Sequence, residues 1–420
     1  MEKLFKGINI PRMIRIRQHF ERVTISDIPK AIREQLGREE IIGRIKKDDR
    51  VAIAVGSRGI ANIPCIVREM VMTVKERGAH PFIVPTMGSH GGATAEGQAE
   101  VLAELGITEE STGAPIVSNM EVVQVGGSKN GLPVYLDKLA YAEADAIIVT
   151  GRIKPHTSFR ATYESGLAKM IAVGLGKQVG AEIVHEAGVE NIPVRVEEIA
   201  REAIDKSKIV FGVGMIENAY DETFKIVAIP RERIMDEEPS LLEEAKQLMP
   251  SIRFDACDVL VVDEMGKNIS GSGMDPNIIR RNYSGSVKHK PLAQRIAVLD
   301  LTRESHGNAN GMTNADICSR RFFDKIQFES TYPNPLTNRL AQAVKIPMVM
   351  ENDSLAIRAA MKTCFDVDYN FMRMIRIKNT LDLEHMFISE YLLEEAKANP
   401  NIEILSEPEF MSFNEYGNLF

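Results

Sequence analysis

Residues 152 to 170 read RIKPHTSFRATYESGLAKM and carry Arg152, Lys154, His156, Arg160 and Lys169 with one carboxylate, Glu164. Apolar runs flank them, ADAIIVTG before and IAVGLG after. Cations in such excess at the edge of apolar structure suit an anionic ligand. Lys169 follows Ser165-Gly166-Leu167-Ala168 and precedes an apolar run. Desolvated there, its amine would be a usable nucleophile or attachment point; the bland alternative is an ordinary solvated lysine. Lys177 in GLGKQ is the competing lysine, although that stretch lacks the first glycine and the Ser/Thr of a phosphate-binding P-loop. His156 follows Pro155, and His90 sits among small residues in GSHGG. Both could exchange protons near neutral pH, or His90 could simply be a turn histidine. His185 stands in a helical stretch, where a lone histidine is usually a packing or surface residue.

These residues must be held by something. Apolar, β-branched runs recur at 51–56, 81–86, 145–151, 208–214, 258–264, 296–301, 346–351 and 372–379. Helical patterns lie between many of them. The stretch 63–78 stops at Gly78, and 94–106 starts at Thr94 as N-cap and stops at Gly106. The stretches 191–205 and 238–248 have the same period. Continuous apolar strands alternating with helices predict an α/β fold of mostly parallel sheets. A length of 420 residues predicts two domains, placed at 1–250 and 251–420 because a fresh strand-and-helix pattern begins after MPSIRFD. The last forty residues are expected to be helical, around ISEYLLEEAKAN.

In open α/β sheets ligands bind beyond the carboxyl ends of strands. The candidates there are Ser57 and Arg58 after the first run, His90 after the second, and Arg152 to His156 after the third. Glycines at these ends would let backbone N–H groups approach an anion. The loop 263–281, with Arg280 and Arg281, and the loop 302–316, with Arg303 and His306, follow later strands. His19, His80, His289 in a lysine-bearing loop and His385 in an expected terminal helix have no supporting neighbours.

Scattered positive charge and a net charge of −8 argue against a nucleic-acid partner. The four cysteines are far apart, with no CxxC, so no zinc knuckle or disulfide framework is indicated. The start lacks a signal-peptide pattern and no run is long enough for a membrane span, so a soluble cytoplasmic protein is expected. Assembly as a homo-oligomer is left open.

GSHGGAT, the PH at 155–156, SGLAK at 165–169 and a histidine sixteen residues after that lysine together resemble the nickel-pincer nucleotide-dependent lactate racemase family. The resemblance is strong over residues 45–215 and is one of layout elsewhere. It implies two domains with the active site in the cleft between them. It implies a cofactor made from nicotinic acid mononucleotide, carrying nickel and joined to a lysine as a thioamide; protein made without it would be empty. On the matching positions Lys169 would be the attachment point and His185 the nickel ligand. His90 and His156 would be the catalytic pair. Ser57, Arg58, Lys154, Thr157 and Ser165 would hold the cofactor, and Arg58, Arg280 and Arg303 the substrate.

The expected activity is racemase or epimerase chemistry at C2 of a small-molecule 2-hydroxy acid. That C2–H is very weakly acidic, whereas removal of hydride leaves a flat 2-keto acid open on both faces. Each direction then needs a base for the hydroxyl proton, hence two histidines. The sequence departs from the lactate enzymes. No aspartate precedes Arg58, and Gly91 follows His90 where an arginine is expected. The His156-to-Lys169 gap is long, and no lysine follows Asp275-Pro276-Asn277. A substrate other than lactate is therefore expected, such as a sugar acid or another larger hydroxy acid. The alternatives are a hydrolase or lyase that uses the histidines as direct metal ligands, and a non-catalytic nucleotide or hydroxy-acid binding protein.

Overall fold

The computed structural model describes residues 2–285 and 290–420, which leaves His289 outside the described residues. It divides into two compact units, Glu21–Met249 and Met1–Phe20 with Pro250–Phe420. The expected division at 250/251 differs from this at the amino terminus. The first strand, β1 (Met13–Gln18), pairs in the sheet of the later unit. Its alternation of buried and exposed residues suits a strand covered on one face.

The unit Glu21–Met249 is built on a five-stranded sheet. Its strands are β2 (Arg50–Val55), β3 (His80–Pro85), β6 (Ala146–Arg152), β7 (Ile209–Glu217) and β8 (Thr223–Pro230). A separate antiparallel pair is made by β4 (Val122–Gly127) and β5 (Pro133–Asp137). The order is β3-β2-β6-β7-β8, parallel except for β8. Val51, Ile53, Val55, Ile83 and Ile148 are essentially inaccessible to solvent. Burial on both faces is why these strands read as continuous apolar runs. The helix Ile63–Glu76 buries Ile66, Val67, Met70 and Val74 in the same core. Thr94 caps Ala95–Glu104 by accepting from the Gly97 N–H, as its position predicted.

The other unit has an eight-stranded sheet. With β1 it contains β9 (Cys257–Met265), β10 (Ala293–Leu301), β11 (Ile317–Ser319), β12 (Met348–Met350), β13 (Met374–Ile377), β14 (His385–Ser389) and β15 (Ile402–Ile404). The order is β12-β11-β10-β9-β13-β14-β1-β15. It is parallel from β12 to β13 and antiparallel beyond. The last forty residues are thus not a helical layer. They give β14, the short helix Leu393–Ala398 and β15, and His385 opens a strand. Both units are α/β. No described helix is long and apolar enough to cross a membrane.

Candidate active site

The chain leaves β2 for β3 on one side and later adds β6 on the other. The carboxyl ends of β2 and β6 therefore meet at a topological switch point, where α/β sheets leave a crevice. Ser57 and Arg58 follow β2, Arg152 ends β6, and Lys154 comes just beyond. Two of the glycines at these ends are required by packing. A Cβ on Gly56 would lie 2.9 Å from Met170 Cε, and one on Gly151 3.0 Å from Met170 Cγ. A Cβ on Gly174 would lie 2.9 Å from the Thr86 carbonyl oxygen. Gly56 and Gly151 thus make room for Met170, whereas a Cβ on Gly59 or Gly92 would meet nothing within 4 Å. Lys169, its neighbour, ends the short helix Leu167–Lys169, which runs on as a π-helical turn, Met170–Gly174.

Lys169 Nζ lies 2.6 Å from His156 Nε2. On the other side of that ring the Ser158 N–H donates to Nδ1 at 3.0 Å. A neutral imidazole has one donor and one acceptor nitrogen, so Nε2 carries the proton and donates to Lys169. The lysine must then accept, which only an uncharged amine can do. Its pKa points the same way. Burial first, then Arg58 and Lys154, lower it from 10.5 to about 7. His156 is held well below 6.5, first by burial and then by Lys169, His185, Lys154 and Arg160. Its ring stacks on Phe159 with centroids 4.0 Å apart.

The loop that carries His156 is organised by Glu164, which is fully buried. Its Oε2 accepts from the His156 N–H at 2.7 Å, and Lys246 Nζ lies 3.2 Å from Oε1. Arg160 pairs with Oε2 at 3.3 Å. Arg152 is paired with Glu217 and lies 3.8 Å from Asp221. Two of the cations first noted are thus balanced locally. Lys154 is tied to Ser165 by paired backbone hydrogen bonds of 2.9 and 3.2 Å, which brings both ends of the loop together, with Thr157 half-buried inside it. Arg58 is reached by solvent and has no ion-pair partner among the described residues. Its surroundings still lower its pKa, desolvation first and Arg152 second.

His185 is the last residue of the helix Lys177–His185. Burial, and then Lys169, push its pKa down to about 4. His156, Lys169, His185, Lys154 and Arg58 thus form one electrostatically coupled group. His90 is exposed, with Ser57 Oγ 2.5 Å from its Nδ1. The Gln98 amide donates to the carbonyls of Gly88 at 2.9 Å and His90 at 3.3 Å.

The competing Lys177 is fully buried and bound to Asp137 at 3.0 Å, to Gln98 and to the Pro85 carbonyl, so it is no free nucleophile. In the other unit Arg280 donates to the carbonyls of Ile252 and Asp255, at 3.0 and 3.1 Å. Those bonds use two of its five N–H donors. Arg303 stands exposed on the turn after β10. Sequence reasoning missed Gln98 and Glu238. Glu238 Oε2 accepts from the Ala168 N–H at 2.8 Å, at the start of the helix that ends in Lys169. Burial pushes its carboxyl up to about 7. Among the described residues no group of three His, Cys, Asp or Glu side chains is placed to hold a metal ion.

Compared with known proteins, residues 12–194 match the family described as the lactate racemase N-terminal domain. No curated protein matches the sequence. A structural-genomics protein from Thermotoga maritima is 14% identical, with a TM-score of 0.49, over 67% of this chain and 72% of its own. The lactate racemase apoprotein from Thermoanaerobacterium thermosaccharolyticum is also 14% identical, with a TM-score of 0.43, over 68% of this chain and 74% of its own. At these scores neither structural likeness bears on the function.

Proposed function

We propose that this chain, whose residues 12–194 belong to the lactate racemase N-terminal domain family, is an isomerase that inverts C2 of a 2-hydroxy acid with a nickel-pincer nucleotide as cofactor. The observation that carries the reading is Lys169 Nζ held 2.6 Å from His156 Nε2, with its pKa lowered by burial and His185 close enough to feel its charge. The donor set fits the cofactor. Attachment through a thioamide needs a free amine, and a metal needs an unprotonated imidazole. Lys169 offers the first and His185 the second. Arg58, with Lys154, Thr157, Ser165 and Ser57, supplies cationic and hydroxyl groups for a nucleotide phosphate. When bound, the group would supply reversible acceptance of hydride from C2.

The protein's own part is proton handling and desolvation. His156 is neutral at physiological pH, and taking a hydroxyl proton at Nε2 requires its own proton to move to Nδ1, with the Ser158 N–H turned away. Its Nε2 is engaged by Lys169 in the unloaded chain. Once Lys169 is acylated its nitrogen no longer accepts, and Nε2 is released for the substrate. Ser57 fixes His90 through Nδ1, which assigns proton exchange at His90 to Nε2. The substrate is a hydroxy acid other than lactate, a sugar acid or another larger one.

Intact mass and nickel content, on protein produced alongside the cofactor-synthesis enzymes, test this. The expected result is an added mass with one nickel per chain, both abolished by Lys169→Ala. An unmodified chain from that host would overturn the reading. A racemisation panel follows, and turnover of lactate alone would remove the substrate assignment.

A further inference from the structure

The His90 loop closes on itself through the His90 N–H to the Met87 carbonyl at 3.1 Å and the Ala93 N–H to the His90 carbonyl at 3.3 Å. Gly88, Gly91 and Gly92 all have positive φ, which glycine adopts without strain. A further set of bonds comes from underneath. Gln98, buried on the helix Ala95–Glu104, donates from one amide nitrogen to the Gly88 and His90 carbonyls. An amide can sit in two orientations, and Lys177 selects one. An ammonium group only donates, so the Gln98 oxygen must face Lys177 Nζ, at 3.2 Å, and the NH₂ must face the loop. Lys177 also donates to the Pro85 carbonyl at the end of β3 and pairs with buried Asp137 at the end of β5.

Lys177 is also the first residue of the helix that ends in His185, and its backbone is left-handed, φ 54°. That conformation is uncommon for a residue with a Cβ and persists where contacts demand it. The helix meets the loop directly as well. A Cβ on Gly88 would lie 3.3 Å from Val173 Cγ1 and 3.5 Å from Ala181 Cβ. One buried ammonium therefore joins the loop bearing His90 to the helix bearing His185.

We infer that Lys177, Gln98 and Asp137 are positioning residues that fix His90 and His185 relative to one another. This gains its meaning from the proposed roles of the two histidines, but its test reads the backbone rather than turnover. The experiment is hydrogen–deuterium exchange of the unloaded full chain, followed by peptide mass spectrometry. Peptides from β9 and β10 in the other unit are the references. Gln98→Glu keeps a partner for Lys177 but loses both hydrogen bonds to the loop. Exchange over residues 88–94 is expected to rise at least about fivefold, the change in local opening that such a loss permits. The helix Lys177–His185 and the references should stay at the wild-type rate. Lys177→Met with Asp137→Asn removes both charges, so neither is left buried and unpaired. That variant should raise exchange in the loop and in the helix together, with the references unchanged. Unaltered loop exchange in Gln98→Glu overturns the inference. So does an equal rise in every peptide, which would mean general loosening.

Discussion

Lys169 and Glu238 show how burial reverses the usual charge of a side chain. Amine-directed acetylation of the unloaded chain should reach half its limiting rate near pH 7 at Lys169, because the amine is free above that value. An ordinary lysine, at 10.5, would lag by about 3.5 pH units. Peptide mass spectrometry across pH 5 to 10 reads the midpoint. Glu238 gives a stability prediction. Its folded pKa is raised from 4.5 to about 7, so between these values the folded state binds the extra proton. Stability from this group is present below pH 4.5 and is lost as pH rises through 7. Glu238→Gln keeps an acceptor for the Ala168 N–H without the ionisation. It should therefore gain up to about 3 kcal/mol at pH 8 and little at pH 4.5, read by denaturant titration at the two pH values. Lys169 and His156 were legible in the sequence because their type and neighbours announce chemistry. Glu238 was not, being seventy residues away and brought in only by packing.

At the scale of elements, the eight apolar runs each became a strand, most of them because a strand buried on both faces can only be apolar, although β12 is short and exposes Met348. The strands that escaped, such as β1, β4, β14 and β15, are half exposed, short or antiparallel, and their apolar residues are diluted by alternation. Glycine was legible as important, but its purpose was not. Substitution separates the cases. Gly174→Ala drives a methyl at the Thr86 carbonyl, which is backbone and cannot swing away. It should cost about 1–3 kcal/mol by chemical denaturation. Gly56→Ala meets only the terminal methyl of Met170, which can turn aside, and should cost under about 1 kcal/mol. Equal costs would mean that the Met170 contact does not explain Gly56.

At the scale of the molecule, the fresh pattern after residue 250 is visible in the sequence, but the return of β1 is not. Nothing local in MIRIRQ says that its partners lie roughly 370–390 residues on. Ile14 and Ile16 are fully buried there, and β1 is held between β14 and β15 on both edges. Deleting residues 2–18 should make Pro250–Phe420 sensitive to limited proteolysis while Glu21–Met249 survives as a resistant fragment. Survival of both regions would mean that β1 adds little.

The placement of β1 also sets an order in time. A ribosome adds about 5–20 residues per second, so β1 emerges on the order of tens of seconds before β14 and β15 exist to receive it. The segment that holds Lys169, His156, His90 and His185 is complete well within that interval. During synthesis the unit Glu21–Met249 can therefore fold while the other unit still waits for its last strands.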